Sequence, residues 1–320
     1  MTDVLIIARA NRYGLTQDTA LLKQAIDETG RSVATATPRE RGLVERILRR
    51  KRARIVVHME RAFPQWRSAG DAHWLVPNQE RFPKRQLRHL AWIDHVLAKS
   101  LHGAEIFDAL GARARHVGFT SVDRLDPSVA KDWNSFLHLA GASTLKGTED
   151  ILDLWRHHPE WPELVLVQKA ENAPRTVPAN VRLLSGYLDD SELQKLQNAC
   201  GLHLCPSRAE GWGHHIVEGL SVGAVVVTTD APPMNEHVLA SNGILVAFER
   251  QEPRHLGTSF FVDRKKLEAA IEAILAMPAT EKARLGTAAR ERYMAIDMAF
   301  RRNLRAFCME AGGPAAPGSN

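Results

Sequence analysis

Between Gly201 and Asp230 the chain runs strand, loop, helix, strand, and that order leaves few folds open. Gly201-Leu202-His203-Leu204-Cys205 is a short apolar run ending in the turn residues Pro206-Ser207, and Gly213 to Val222 has helical spacing with apolar Ile216, Val217 and Leu220. Gly223 stops the helix. Ala224-Val225-Val226-Val227 then reads as a buried strand of the parallel type, closed by the polar residues Thr228 to Asp230. Parallel neighbours need a crossover connection, so a helix between two such strands implies an α/β sheet covered by helices.

The same alternation runs along the whole chain. It predicts strands at Val4 to Ala8, Ser32 to Ala36, Ile55 to Met59, Trp74 to Val76, His95 to Ala98 and His116 to Phe119, with helices near Gln17 to Glu28 and His102 to Leu110. The turn-rich Asp123-Arg124-Leu125-Asp126-Pro127 marks a boundary, after which the pattern restarts at Phe136-Leu137-His138-Leu139. A chain of 320 residues with 44% hydrophobic content can bury two cores. The expected architecture is two Rossmann-like doubly wound domains, 1–128 and 129–309, facing a central cleft with ligands at the carboxyl ends of the strands. A last helix from about Ala279 to Met309 would cross back to the first domain, and 310–320 reads as a flexible tail.

Polar residues collect where such strands end. Glu210 and Glu218 lie eight positions apart, one in the loop and one about two turns into the helix, and carboxylates there can accept hydrogen bonds from the vicinal hydroxyls of a sugar or ribose. Gly211 and Gly213 admit a ligand close to the backbone, and the first helical amides are free to meet phosphate oxygens. Lys146-Gly147-Thr148 opens another helix after the small-residue loop that holds Ser143 and Thr144, a cation with hydroxyls and amides suited to a diphosphate. A pair of solvated glutamates and an ordinary surface lysine are the alternatives that composition leaves open.

The unit from Pro206-Ser207 through Glu210-Gly211-Trp212-Gly213, Glu218 and Gly223-Ala224-Val225-Val226 to Glu236 resembles the signature of the retaining GT-B glycosyltransferases of the "glycosyl transferases group 1", family 4-like, type. The resemblance implies transfer of a sugar from a nucleotide diphosphosugar, with UDP or GDP as carrier, to a hydroxyl acceptor in surface polysaccharide or glycolipid assembly. Configuration would be retained and no metal or other cofactor used, consistent with the lack of an Asp-x-Asp motif. It assigns Lys146 to the donor phosphates and Glu210 to the transferred sugar as the catalytic pair. Glu218 would hold the ribose hydroxyls, Trp212, Gly213 and His214 would touch sugar and phosphate, and Gly186 and Tyr187 would cradle the base. The family's arginine five residues before the lysine is Gly141 here, so Arg208 is the candidate for the missing phosphate charge. Pro232 and Pro233 stand where many relatives have two glycines. The rival readings are a nucleotide-sugar epimerase of the same fold, a non-catalytic nucleotide-sugar-binding partner subunit, and a glycoside hydrolase using Glu210 and Glu218 as its acid and nucleophile.

Over the first half the resemblance is architectural only. Gly14 after the first strand, His58 and Glu60 at the end of the third, Asn78, Gln79 and Glu80 after the fourth, and Lys99 and Ser100 after the fifth fall at carboxyl ends, so Gly14, Asn78, Glu80 and His58 are the acceptor or cleft candidates. The net charge of +5 is unevenly spread: eight cations lie between Arg39 and Arg54, around Leu43, Val44, Ile47 and Leu48 at helical spacing. This predicts a basic amphipathic helix that is either a solvated face or a contact for an anionic membrane or acceptor; no accompanying motif specifies nucleic acid. Cys200, Cys205 and Cys308 have no metal-ligand spacing and read as reduced thiols, and no apolar run reaches membrane-spanning length. The expectation is a cytoplasmic protein, peripheral at the inner face of the membrane.

Overall fold

The computed structural model describes residues 2–9, 14–186 and 188–311. The chain divides into two compact units, Met1–Ser121 with Ile296–Asn320, and Val122–Ala295.

The first unit is built from β1 (Thr2–Ile7), α1 (Gly14–Asp27), β2 (Val33–Ala36), α2 (Leu43–Ile47), β3 (Ala53–Glu60), β4 (Ala72–Pro77), β5 (His95–Ala98), α3 (Leu101–Ala109) and β6 (Ala114–His116). Its strands form one parallel sheet in the order β2-β1-β3-β4-β5-β6. Leu5, Ile7 and Val56 bury one face of it against Phe63 and Trp66. The sixth strand is shorter and earlier than the expected His116 to Phe119, because Gly118 at φ +75° turns the chain out of the sheet.

The basic segment departs further from expectation. Only Leu43–Ile47 is helical, and Arg49, at φ 49°, ends it. Arg41 is buried, donating to the carbonyls of Gln65 and Arg50 and to the Ser68 hydroxyl. The apolar side chains face outward instead of covering the sheet: Leu43, Val44, Ile47 and Leu48 are 57% to 70% exposed.

The second unit holds β7 (Asp132–Gly141), α4 (Thr148–His157), β8 (Leu164–Gln168), β9 (Val181–Leu184), α5 (Asp190–Ala199), β10 (Cys200–Cys205), α6 (His214–Ser221), β11 (Val225–Thr229), α7 (Met234–His237), β12 (Gly243–Val246), β13 (Phe248–Arg254), β14 (Gly257–Val262) and α8 (Arg264–Ala276). Six strands pair in parallel in the order β12-β11-β10-β7-β8-β9. Every residue of β10 and β11 is buried, as a sheet covered on both faces requires. Phe136, Ile151, Trp155, Leu202, Val225 and Leu267 fill one side, and Leu137, Val165 and Cys200 the other. The antiparallel hairpin β13–β14, which the strand pattern did not predict, is attached through the Phe260 amide to the Arg208 carbonyl at 2.7 Å.

The sequence placed the boundary at 128, yet the turn-rich segment from Val122 onward is anchored to the second unit. Arg124 forks onto Asp190 with both bonds at 2.8 Å, and the Asp126 amide donates to Asn198. Helix α9 (Ala279–Ala311) carries the chain from the second unit back into the first at Ile296. Its last turns pack there, with Phe300 on Phe119 at 5.0 Å and Phe307 on Trp74 at 4.8 Å between ring centroids. The tail from 312 onward lies outside the described residues.

Candidate functional site

In the second sheet the chain reverses its direction of winding between β7 and β10, which are neighbours. The loops that follow these two strands therefore flank the switch point where ligands of doubly wound sheets bind. The Arg208 amide bonds the Leu145 carbonyl at 2.8 Å and ties one loop to the other. Gly147 is left-handed at φ +72°, and a Cβ there would collide with the Pro206 carbonyl, so the close approach itself demands glycine.

Three side chains converge at this point. The Lys146 ammonium donates to Glu210 Oε1 at 2.6 Å and to His215 Nδ1 at 3.1 Å. An ammonium can only donate, so His215 carries its proton on Nε2 and gives it to the Ser207 hydroxyl at 3.1 Å. Burial, reinforced by Lys146, pushes the His215 pKa well below the usual imidazole range, which keeps the ring neutral. Beneath this cluster lies His138. Its Nδ1 donates to the Leu204 carbonyl at 2.7 Å, its Nε2 accepts from Thr148 at 2.9 Å, and burial lowers its pKa to about 4.

Two helices start beside the lysine. Thr148 follows Gly147, and His214 follows Gly213, which is left-handed at φ 97°; neither helix has a side-chain cap. Their leading amides carry partial positive charge alongside an ammonium, which suits an anion. Glu218 lies one turn beyond His215 on α6, on the same side of the helix, and accepts from Gln197 Nε2 at 3.0 Å.

The other expected residues fall into two groups. Ser143 and Thr144 are on the Lys146 loop, where the Ser143 hydroxyl accepts from the Leu145 amide and Thr144 is exposed. Gly186 is exposed after β9, whereas Tyr187 lies outside the described residues. The Trp212 ring is buried edge-on against His237, 4.2 Å between centroids, and its carbonyl accepts from that histidine. His214 is partly exposed, and it is His215, not His214, that reaches the lysine. Arg208 is not an unengaged phosphate ligand: it pairs with Glu149 at 2.7 Å and Asp150 at 3.1 Å and lies over the Phe261 ring. Two carboxylates in the first turn of α4 hold it there.

In the first unit, His58 is fully buried. Its Nδ1 accepts from the Phe63 amide and its Nε2 donates to His73, so both ring nitrogens serve the core and neither reaches the surface. Asn78 is half-buried and Glu80 buried just after β4, while Gly14 is the first residue of α1 and the loop residues 10–13 before it lie outside the described set. Lys99 and Asp18 form a buried ion pair at 2.5 Å, with the ammonium over Phe119. Among the described residues no group of three or more His, Cys, Asp or Glu side chains is placed to hold a metal ion, and no helix is long and apolar enough to cross a membrane.

Residues 173–292, which include β10, Glu210 and Glu218, match the family model described as glycosyl transferases group 1. No protein of curated function matches the chain in sequence. Among solved structures, HepE of Anabaena in complex with UDP-glucose superposes on 97% of this chain and 100% of its own, with TM-score 0.71 and 16% identity. A glycosyltransferase from Rickettsia africae ESF-5 covers 98% of this chain and 99% of its own, with TM-score 0.71 and 13% identity. A GtfA/B complex matches with TM-score 0.63 and 13% identity over 83% of this chain, which spans 59% of that one. At these identities the likeness establishes the fold, which is GT-B. The matched segment holds Glu210 and His215, and Lys146 reaches them from the loop after β7, which precedes it in the chain.

Proposed function

We propose that the protein transfers a sugar from a nucleotide diphosphosugar to a hydroxyl acceptor, with retention of configuration and without a metal, in the assembly of a surface polysaccharide or glycolipid. The observation that carries this reading is Lys146, held by Glu210 and a neutral His215 between two uncapped helix starts at the switch point of the second sheet, whose β10 and α6 lie in the segment that matches the group 1 model. HepE was solved with UDP-glucose, which supports a nucleotide sugar as the donor class.

In the proposed reaction the acceptor oxygen bonds to the anomeric carbon as the bond from that carbon to the phosphate oxygen breaks, and the acceptor proton passes to the departing phosphate on the same face. Charge grows on the diphosphate, and Lys146 with the amides of α4 and α6 is positioned to stabilise it. Glu210, paired at 2.6 Å with Lys146, is suited to orienting the lysine and accepting from sugar hydroxyls rather than to covalent attack. Glu218, about one turn along α6, takes the ribose hydroxyls.

Glu218→Ala is expected to weaken UDP or GDP binding about 10- to 150-fold, roughly 1.5 to 3 kcal/mol, the effect of removing a charged acceptor from two hydroxyls. Calorimetric titration measures it, and a change below twofold removes Glu218 from the ribose.

The exposed Leu43, Val44, Ile47 and Leu48, bordered by Arg39, Arg46, Arg49 and Arg50, support contact with an anionic membrane that presents a lipid-linked acceptor. Apolar insertion and cation attraction act together there, each cation contributing about 1 kcal/mol. Co-sedimentation with anionic vesicles is expected to exceed that with neutral ones and to weaken at high salt. Equal partitioning onto both, or none, returns the segment to a solvated face.

A further inference from the structure

Glu218 does not stand alone in its unit, and what holds it was not visible in the sequence. The Gln197 side chain on α5 is buried and donates from Nε2 to Glu218 Oε2 at 3.0 Å. A carboxamide by itself can turn over and present oxygen instead, which would set an acceptor against a carboxylate. Here the choice is made by Arg124, whose Nε can only donate and which gives its hydrogen to Gln197 Oε1 at 2.8 Å.

Arg124 is itself immobilised. Its guanidinium forks onto both Asp190 carboxylate oxygens and donates to the Asp190 carbonyl at 2.9 Å. Its carbonyl accepts from Asn198 at 2.7 Å and Gln194 at 3.2 Å. Its amide donates to the Ser221 hydroxyl at 3.1 Å, and that hydroxyl donates to the Glu218 carbonyl at 2.8 Å. The same arginine therefore reaches Glu218 along two routes, through the Gln197 side chain and through the last turn of α6.

We propose that Gln197, oriented by Arg124, is a positioning residue that fixes the Glu218 carboxylate for the two ribose hydroxyls and so sets the affinity for the nucleoside diphosphate. This rests on the donor reading of Glu218 given above. A carboxylate locked in one rotamer before binding loses less freedom when the nucleotide arrives, and its second oxygen is directed by the bond to its first. Gln197 touches no ligand in this account; it acts only through Glu218.

The test is a double-mutant cycle on the full chain, with UDP, GDP and ADP titrated one at a time and the tightest carried forward. Gln197→Leu, close in volume but unable to donate, is expected to weaken that nucleotide about 5- to 30-fold. In the Glu218→Ala background the same change is expected to have almost no effect, which a merely structural role would not produce. Arg124→Lys keeps a cation for Asp190 but loses the Nε donor; it should weaken binding in the same direction by a smaller factor, and it serves where Gln197→Leu fails to fold. Affinity within twofold of the parent in a folded Gln197→Leu or Arg124→Lys protein overturns the inference, as does a loss that persists undiminished without Glu218. If Glu218→Ala binds like the parent, or the parent binds none of the three nucleotides, the donor reading itself has failed and the inference falls with it.

Discussion

Lys146→Ala is expected to lower turnover about 100- to 1000-fold while weakening nucleoside diphosphate binding less than tenfold. Removing one well-placed donor from a developing negative charge has effects of that size, about 3 to 4 kcal/mol at the transition state. Binding suffers less because the lysine is worth most after the bond to phosphate has stretched. The geometry sharpens the expectation: the ammonium is pinned between Glu210 and His215, so its position does not have to be found when the donor enters. Steady-state rates with a nucleotide sugar chosen from a UDP- and GDP-sugar panel, set beside UDP or GDP titrations, separate the two quantities. Because the substitution leaves Glu210 and a buried imidazole without their cation, a melting curve must accompany the rates. A folded variant that turns over as fast as the parent excludes Lys146 from the chemistry.

Acid is expected to destabilise the second unit well before its carboxylates titrate. His138 and His237 are held near a pKa of about 4 and His203 near about 3, in each case chiefly by burial, while an unfolded histidine titrates near 6.5. Depressed folded values mean that the unfolded chain binds more protons below 6.5, so stability falls as the pH drops from that value toward 4. At pH 5 each of these rings costs roughly 2 kcal/mol. The three together are comparable to the whole stability of an ordinary domain, about 5 to 15 kcal/mol. His215, also pushed down by burial, adds in the same direction. His158 acts oppositely, since its bonds to Glu268 and Glu160 raise its pKa, but it lies at the surface, where such pairs are weak. Denaturant unfolding at pH 7.5 and pH 5 measures the difference. Equal midpoints would mean that the rings are charged, or reach water, in the folded state.

The legible part of this protein was local. Strands β10 and β11 could be read as buried because every position but His203 is apolar or small enough for a sheet covered on both faces, and α6 could be read between them from Ile216, Val217 and Leu220. Lys146 and Glu210 were legible as candidates because each falls in a loop just past a strand end, where a doubly wound sheet opens to ligands, and Glu218 because it lies eight positions after Glu210 on the helix that leaves that loop. Local pattern failed where the outcome depended on a partner. Helical spacing in the basic segment is the same whether Leu43 and Ile47 cover a sheet or face water, and only packing placed them outward. His58 sat at a strand end like the other candidates, but His73, brought beside it by the pairing of β3 with β4, made it part of the core. Arg208 has the charge and place for a phosphate, but that Glu149 and Asp150 of α4 pair with it could be seen only in the folded chain.

What the sequence by itself determined is the order of strands and helices and the set of polar residues at their junctions, since alternation, glycine stops and buried runs act over a few neighbouring residues. What only the tertiary structure decided is who meets whom. Lys146 is joined to Glu210 and His215 because β7 and β10, distant in the chain, lie side by side in the sheet, and Gln197 meets Glu218 because α5 and α6 flank β10. Side-chain periodicity specifies which face of an element is buried; the strand order that selects its neighbours is settled only when the whole sheet closes its core.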